Sequence, residues 1–361
     1  VVLLKNENHI LPLDKKKLHT IGVIGPNADS RKALVGNYEG TSSRYITVLE
    51  GIEDYVGENV RVLYSEGCHL YRDRTSNLAM EHDRDSEVRA VCEASDVVIA
   101  VVGLDATLEG EEGDTGNEYG SGDKPNLNLP GLQPDIIRIA KESGKPVIVV
   151  LLAGSAMALS WEDEHVDAIL DGFYPGAQGG AAIAEILFGG ANPEGKLPIT
   201  FYQTTEELPE FTDYAMKGRT YRYMENEALY PFGYGLSYTT YAYGNLECVK
   251  PFDAQDGITL QVTVTNTGDR EGTETLQVYV KAKREGTPNP QLKYVKKITL
   301  KPGESVTEEI HLSPEAFMLY DEKGNFTLEK GAYDIFVGGC QPDARSAALT
   351  GNAPQKLTVT Y

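Results

Sequence analysis

The chain has 361 residues, 41% of them apolar and 24% charged, which excludes a single small domain and fits two or three globular ones. Its net charge of −21, from 54 acidic against 33 basic residues, excludes phosphate-led binding of nucleic acid and docking on an anionic membrane, and suits a neutral ligand. No apolar run approaches the ~18 residues of a membrane-spanning helix. Cys68, Cys92, Cys248 and Cys340 form no Cys-x-x-Cys pair and the six histidines show no ligand spacing, so neither a metal nor another cofactor is expected.

Residues 1–18 read as a short apolar segment and a turn around Pro12. The start, Val1-Val2-Leu3-Leu4-Lys5-Asn6, has too short an apolar run and no basic region for a signal peptide. Together with scattered cysteines this gives a cytoplasmic expectation. The abrupt apolar start without Met reads as a fragment, a processed chain or one half of a larger protein.

Thr20 to Gly25 reads as a strand, with a turn at Pro26-Asn27-Ala28-Asp29. Thr47-Val48-Leu49-Glu50 is a capping-box pattern that opens a helix with Leu49, Ile52 and Val56 on one face. Val60 to Tyr64 is a second strand, and a helix from about Ser86 turns Val88, Val91 and Cys92 inward. The apolar run from Val97 to Gly103 is a third, buried strand. Pro130 opens a helix through Leu132, Ile136, Ile139 and Ala140, with Gly144 placed as its C-cap. Pro146 to Leu152 and Asp167 to Tyr174 are two more strands, and a small-residue helix with Ile183, Ile186 and Leu187 follows. Lys196 to Phe201 reads as a last strand. Strands alternating with helices at this spacing predict an α/β fold, a mostly parallel sheet with helices on both faces.

Between the third strand and the Pro130 helix lies an acidic loop. Glu109, Glu111, Glu112 and Asp114 fall within six residues, separated by Gly110 and Gly113. Carboxylates this close repel one another, and repulsion with partial burial holds at least one protonated near neutral pH, as a general acid requires. In open α/β sheets ligands bind outside the carboxyl ends of the strands, and this loop leaves such an end. A nucleotide site would need a GxGxxG or Walker A lysine pattern, and neither is present. The competing reading is a solvated surface loop.

From 203 to 240 the chain is a Tyr-rich connector, read first as packing between domains and second as a sugar-stacking surface on which Arg219 or Arg222 binds hydroxyls. From 241 to 361 strictly alternating runs such as Ile258 to Val264 and Val306 to Leu312 recur at roughly ten-residue spacing, the mark of an all-β sandwich of immunoglobulin or fibronectin type III kind. Phe326 to Leu328 and Tyr333 to Val337 read as a hairpin around Glu329-Lys330-Gly331. The expected domains are 1–202, the connector 203–240 and the sandwich 241–361.

Several stretches together resemble the C-terminal half of glycoside hydrolase family 3, the β-glucosidase and β-xylosidase family. They are Val2-Leu3-Leu4-Lys5-Asn6 with Leu11-Pro12-Leu13, Ile24 to Ala28, Gly176 to Gly180, Gly195 to Phe201, Gly218 to Tyr223 and Tyr230 to Tyr238. The last two resemble the bridge into the family's fibronectin type III-like domain and lean toward its β-xylosidase branch. The resemblance implies a retaining exo-β-glycosidase with an Asp nucleophile on an N-terminal (β/α)₈ barrel and a Glu acid/base on a loop of the α/β domain. That loop is similar to Glu109 to Asp114, where many members read Glu-x-Glu-Gly-x-Asp-Arg. Matching the second Glu assigns Glu111 as acid/base, with Glu109 its competitor and Asp114 a substrate-binding position. Here Glu112 and Thr115 replace the usual Gly and Arg, and Gly122-Asp123-Lys124 stands as a displaced Gly-Asp-Arg, which makes Asp123 a further substrate-binding position. No segment resembles the nucleophile motif. The implied partners are a small oligosaccharide or aryl glycoside and the missing barrel. A non-catalytic carbohydrate-binding or interaction module derived from this fold is the alternative.

Overall fold

The structure is a computed structural model, and it describes residues 1–110, 124–321 and 323–361. It divides into two compact units: Val1–Gly195 with Tyr202–Thr205, and Lys196–Phe201 with Glu206–Tyr361.

The first unit is the expected α/β sandwich. Its elements are β1 (Val2–Asn6), β2 (Thr20–Ile24), α1 (Val48–Val56), β3 (Arg61–Ser65), α2 (Asp85–Glu93), β4 (Val97–Gly103), α3 (Gln133–Glu142), β5 (Val147–Leu152), α4 (Ser160–His165), β6 (Ala168–Asp171) and α5 (Gly179–Leu187). The sheet order is β1-β6-β5-β4-β2-β3. Five strands run parallel, and β1 closes one edge antiparallel to β6. The opening apolar segment is therefore an edge strand, which its five residues alone did not reveal. The central strands β4 and β5 are buried along their whole length, because helices cover both faces. Each fully buried Val, Ile or Leu there contributes roughly 1.5–3 kcal/mol of transfer free energy. Thr47 and Glu50 complete the capping box expected at the start of α1. The helix expected at Pro130 begins three residues later, at Gln133, with Pro134 in its first turn.

The second unit is a two-sheet sandwich. A short helical turn α6 (Thr220–Tyr223) precedes the strands β7 (Tyr241–Asp253), β8 (Gly257–Asn266), β9 (Gly272–Ala282), β10 (Gln291–Leu300), β11 (Ser305–Leu312), β12 (Leu319–Tyr320), β13 (Phe326–Thr327), β14 (Ala332–Gly338) and β15 (Gln355–Thr360), with α7 (Ala344–Thr350) before the last. One sheet is ordered β10-β9-β14-β15 and the other β11-β8-β7. The alternating residues Ile258, Leu260, Val262 and Val264 meet Leu276, Val278, Ile335 and Val337 in one core.

Two sequence expectations are corrected. Lys196 to Phe201 is not a strand of the parallel sheet. Leu197 N donates to Tyr234 O at 2.8 Å and Phe201 N to Tyr230 O at 3.0 Å, so the segment lies against its own connector. The hairpin expected between Phe326–Leu328 and Tyr333–Val337 does not form either. β13 pairs with β12 across a turn held by Asp321, whose Oδ1 accepts from Lys323 N and Asn325 N, each at 2.8 Å. Both edges of β14 are already taken by β9 and β15. Of the connector tyrosines, Tyr230 and Tyr234 are fully buried and stacked, with ring centroids 5.8 Å apart, whereas Tyr214 is exposed.

Candidate active site

The carboxyl edge of the parallel sheet is built on close backbone approach. Gly103 ends β4 at φ +133°, where a Cβ would lie 2.1 Å from Leu152 O, so only glycine lets β4 and β5 stay paired while the chain turns out. The Gln133 amide, fully buried at the start of α3, clamps this residue. Its Oε1 accepts from Gly103 N at 2.7 Å and its Nε2 donates to Gly103 O at 2.9 Å. Asn27, just after β2, donates to Leu104 O at 2.8 Å.

From Leu104 the chain makes one tight turn. Asp105 Oδ1 accepts from Thr107 N at 2.8 Å and from Thr107 Oγ1, while Asp105 O accepts from Leu108 N at 3.0 Å and Glu109 N at 3.1 Å. Leu108 is fully buried beneath it. This turn aims the Glu109 carboxylate across the edge. Glu109 Oε2 accepts from Gly154 N at 2.7 Å and from the Tyr174 hydroxyl, and Oε1 accepts from the Ser155 hydroxyl. Gly154 and Ser155 follow β5 and Tyr174 follows β6, so one carboxylate ties the ends of three strands. Burial first, and then the Glu109 charge, push the Tyr174 phenol well above its ordinary range, so it remains a donor.

Beside this cluster Lys124 returns the chain to the described residues. Its Nζ donates to Ala156 O at 3.0 Å and approaches Met157 Sδ at 3.1 Å. Burial lowers its ammonium to about 8, against the opposing pull of Glu109. Asp171, at the end of β6, is fully buried. Its Oδ1 accepts from Phe173 N at 2.9 Å, which holds Phe173 at φ +51°, and its Oδ2 has no hydrogen-bond partner among the described residues. Burial raises this carboxyl to about 7, the hydrogen bond from Phe173 N opposes the rise, and the Glu109 charge adds to it.

Asp171 carries a pH prediction. The folded chain keeps its proton up to about pH 7 while an unfolded Asp releases it near 3.8, so stability falls as pH rises through that window. Asp171→Asn removes the ionisation but leaves a buried N–H without a partner. It is expected to stabilise the protein by about 2 kcal/mol above pH 7, with the gain gone by about pH 4, as measured by urea denaturation across pH. A gain that does not vary with pH would contradict the buried-acid assignment.

Of the residues singled out by sequence, Glu109 thus sits at the centre of a converging network. Glu111, Asp114 and Asp123 lie outside the described residues. Arg219 belongs to the second unit, where its guanidinium donates to three backbone carbonyls of its own loop, those of Glu210, Asp213 and Ala215. Tyr174 and Ser155 of this network, and Gln133 that clamps Gly103, were not singled out as site residues. The sequence signal for Tyr174 and Ser155 is polarity just beyond the ends of apolar strands, and Gln133 carries only a polar side chain at the start of a helix. Among the described residues no group of three or more His, Cys, Asp and Glu side chains could hold a metal ion.

The glycosyl hydrolase family 3 C-terminal domain model matches residues 1–238, and a fibronectin type III-like domain model matches 274–341. The chain belongs to glycosyl hydrolase family 3. Among its relatives, a periplasmic β-glucosidase of Salmonella typhimurium is 37% identical over 94% of this chain and 47% of its own. A β-xylosidase of Formosa agariphila is 34% identical over 97% of this chain and 48% of its own. The solved structure of a β-glucosidase from Erythrobacter marinus superposes with a TM-score of 0.83 at 31% identity, over 99% of this chain and 48% of that one. The chain spans about half the length of the curated relatives it matches.

Proposed function

We propose that the full-length protein is a retaining exo-β-glycosidase acting on terminal β-linked xylose or glucose, and that this chain supplies its general acid/base. The observation that carries the reading is the fixed Glu109 carboxylate at the sheet edge. Both of its oxygens are occupied by donors, whereas a general acid needs a carboxyl oxygen free to meet the glycosidic oxygen. Glu109 is therefore the anchor of the loop, and Glu111, two residues on, is the acid/base. Asp114 and Asp123 remain the positions proposed to bind sugar hydroxyls.

In this reading Glu111 protonates the leaving oxygen while an Asp on an N-terminal barrel attacks the anomeric carbon, the two carboxyls being ~5 Å apart. Glu111 then removes a proton from the water that releases the sugar. Relatives named β-glucosidase and β-xylosidase, each about twice as long as this chain, support the pairing with a barrel. The test is proton NMR of the full-length protein acting on aryl β-xylosides and β-glucosides. The β-anomer should appear first. First formation of the α-anomer, or no turnover of either series, would overturn the reading.

A further inference from the structure

The connector carries a loop, residues 209–218, that turns apolar side chains into solvent. Phe211 is 85% exposed, Tyr214 92% and Met216 49%. Burying one aromatic side chain takes roughly 150–250 Å² out of water. Two rings and a methionine on one short loop therefore leave a large apolar area uncovered.

The loop is not a slack link. Arg219 sits inside it, and its guanidinium donates to Ala215 O at 3.2 Å, Glu210 O at 3.0 Å and Asp213 O at 2.6 Å. Arg219 N donates to Met216 O at 3.0 Å, Asp213 N to Glu210 O at 2.9 Å, and Ala215 N to Asp213 Oδ1 at 2.8 Å. Gly218, at φ +74°, turns the chain back so that its N–H reaches Tyr223 O at 3.2 Å. Ordering a loop costs conformational entropy, and here bonds within the loop offset that cost before any partner arrives.

The chemistry of this surface favours a protein partner over a sugar. A sugar platform sets polar groups beside its rings to meet hydroxyls. The guanidinium of this loop has three of its donors committed to the loop's own carbonyls, and Phe211 and Met216 carry no hydrogen-bond donor on their side chains. Exposed aromatic and methionine side chains are instead what the cores of protein interfaces collect. The loop lies within residues 1–238, the part matched by the family's C-terminal domain model, and about half of each relative's polypeptide lies outside the part that matches this chain. A partner on the same polypeptide meets the loop at an effective concentration of about millimolar, far above that of a second copy in solution.

We propose that the loop 209–218 is a docking surface for the N-terminal half of the full-length protein, with Phe211, Tyr214 and Met216 buried against that half and Arg219 stapling the loop in the shape that presents them. The choice of partner rests on the reading that an N-terminal half accompanies this chain; it does not rest on the sugar or the reaction assigned to the enzyme.

The test is photo-cross-linking of the full-length protein with Tyr214 replaced by p-benzoylphenylalanine. The same probe at Val249, an exposed position of the β-sandwich, is the control. After irradiation and digestion, mass spectrometry should join the loop to peptides that precede Val1, in a product of monomer mass and in excess over the control. Phe211→Ser combined with Tyr214→Ser, at positions outside this chain's own cores, should speed proteolytic separation of the two halves roughly tenfold or more, because losing two buried rings raises the undocked population by at least that factor. A cross-linked product of twice the monomer mass would make a second copy the partner. Suppression of the cross-link by a xylo- or gluco-oligosaccharide would make the loop a sugar platform. Either result overturns the proposal, as do equal yields at the two probe positions or unchanged proteolysis. Hydrolysis of aryl glycosides is followed on the same samples. An active enzyme without the cross-link refutes the docking alone, and a cross-linked protein without glycosidase activity refutes the assigned reaction alone.

Discussion

Glu109→Gln in the full-length protein is expected to lower activity by about 10–100-fold, by the same factor for good and poor leaving groups, and to cost about 2–4 kcal/mol of stability. Three donors converge on this side chain, from Gly154 N, Ser155 Oγ and Tyr174 OH. A glutamine can set its one acceptor oxygen toward Gly154 N and Tyr174 OH, but its NH₂ then faces Ser155, whose hydroxyl must accept instead of donate, and the negative charge that strengthened all three bonds is gone. The strand ends after β5 and β6 then lose their common tie, and the acidic loop loses its anchor. That displaces the catalytic group without removing it, and displacement by an ångström or so is worth about this factor. The pair of measurements is urea denaturation and kcat/KM for a series of aryl glycosides. A loss that grows steeply with leaving-group pKa would instead make Glu109 the proton donor.

The second large effect belongs to Glu111. Removing a general acid costs on the order of 10²–10⁴-fold where the leaving oxygen needs a proton, and little where it does not. Glu111→Gln should therefore leave dinitrophenyl glycosides nearly as reactive in the first step, while hydrolysis of alkyl glycosides and disaccharides falls by at least about 100-fold. Stability should change by less than about 1 kcal/mol, in contrast to Glu109→Gln. The two variants separate anchor from acid because one defect is geometric and the other is a missing proton. Equal losses on both substrate types would remove Glu111 from the role.

The parallel sheet was legible because burial on both faces demands continuous apolar runs, and Val97 to Gly103 and Val147 to Leu152 carry that demand in the sequence itself. The start of α1 was legible for a local reason: Thr47 and Glu50 satisfy each other's backbone donors within one turn. Long-range pairing was not. β1 looks like any apolar pentapeptide until β6 is beside it, and β13 chooses β12 over β14 because β14 is already paired on both sides. The acidic loop could be singled out by composition, and its place on the ligand edge follows from topology. The distinction proposed between Glu109 and Glu111 has no local signature, since both are glutamates beside Gly110. It rests on donors 45, 46 and 65 residues away from Glu109, brought together only by the closing of the sheet edge.

Chemical rescue by azide tests the division of labour between these two glutamates most directly. With the acid/base removed, the glycosyl-enzyme intermediate has no group to activate water, and a small anion can take its place without needing a base. Glu111→Ala, in the full-length protein with an activated aryl glycoside, should be accelerated by azide and release the β-glycosyl azide, whereas Glu109→Ala should gain nothing. Rescue of Glu109→Ala together with none for Glu111→Ala would contradict the assignment.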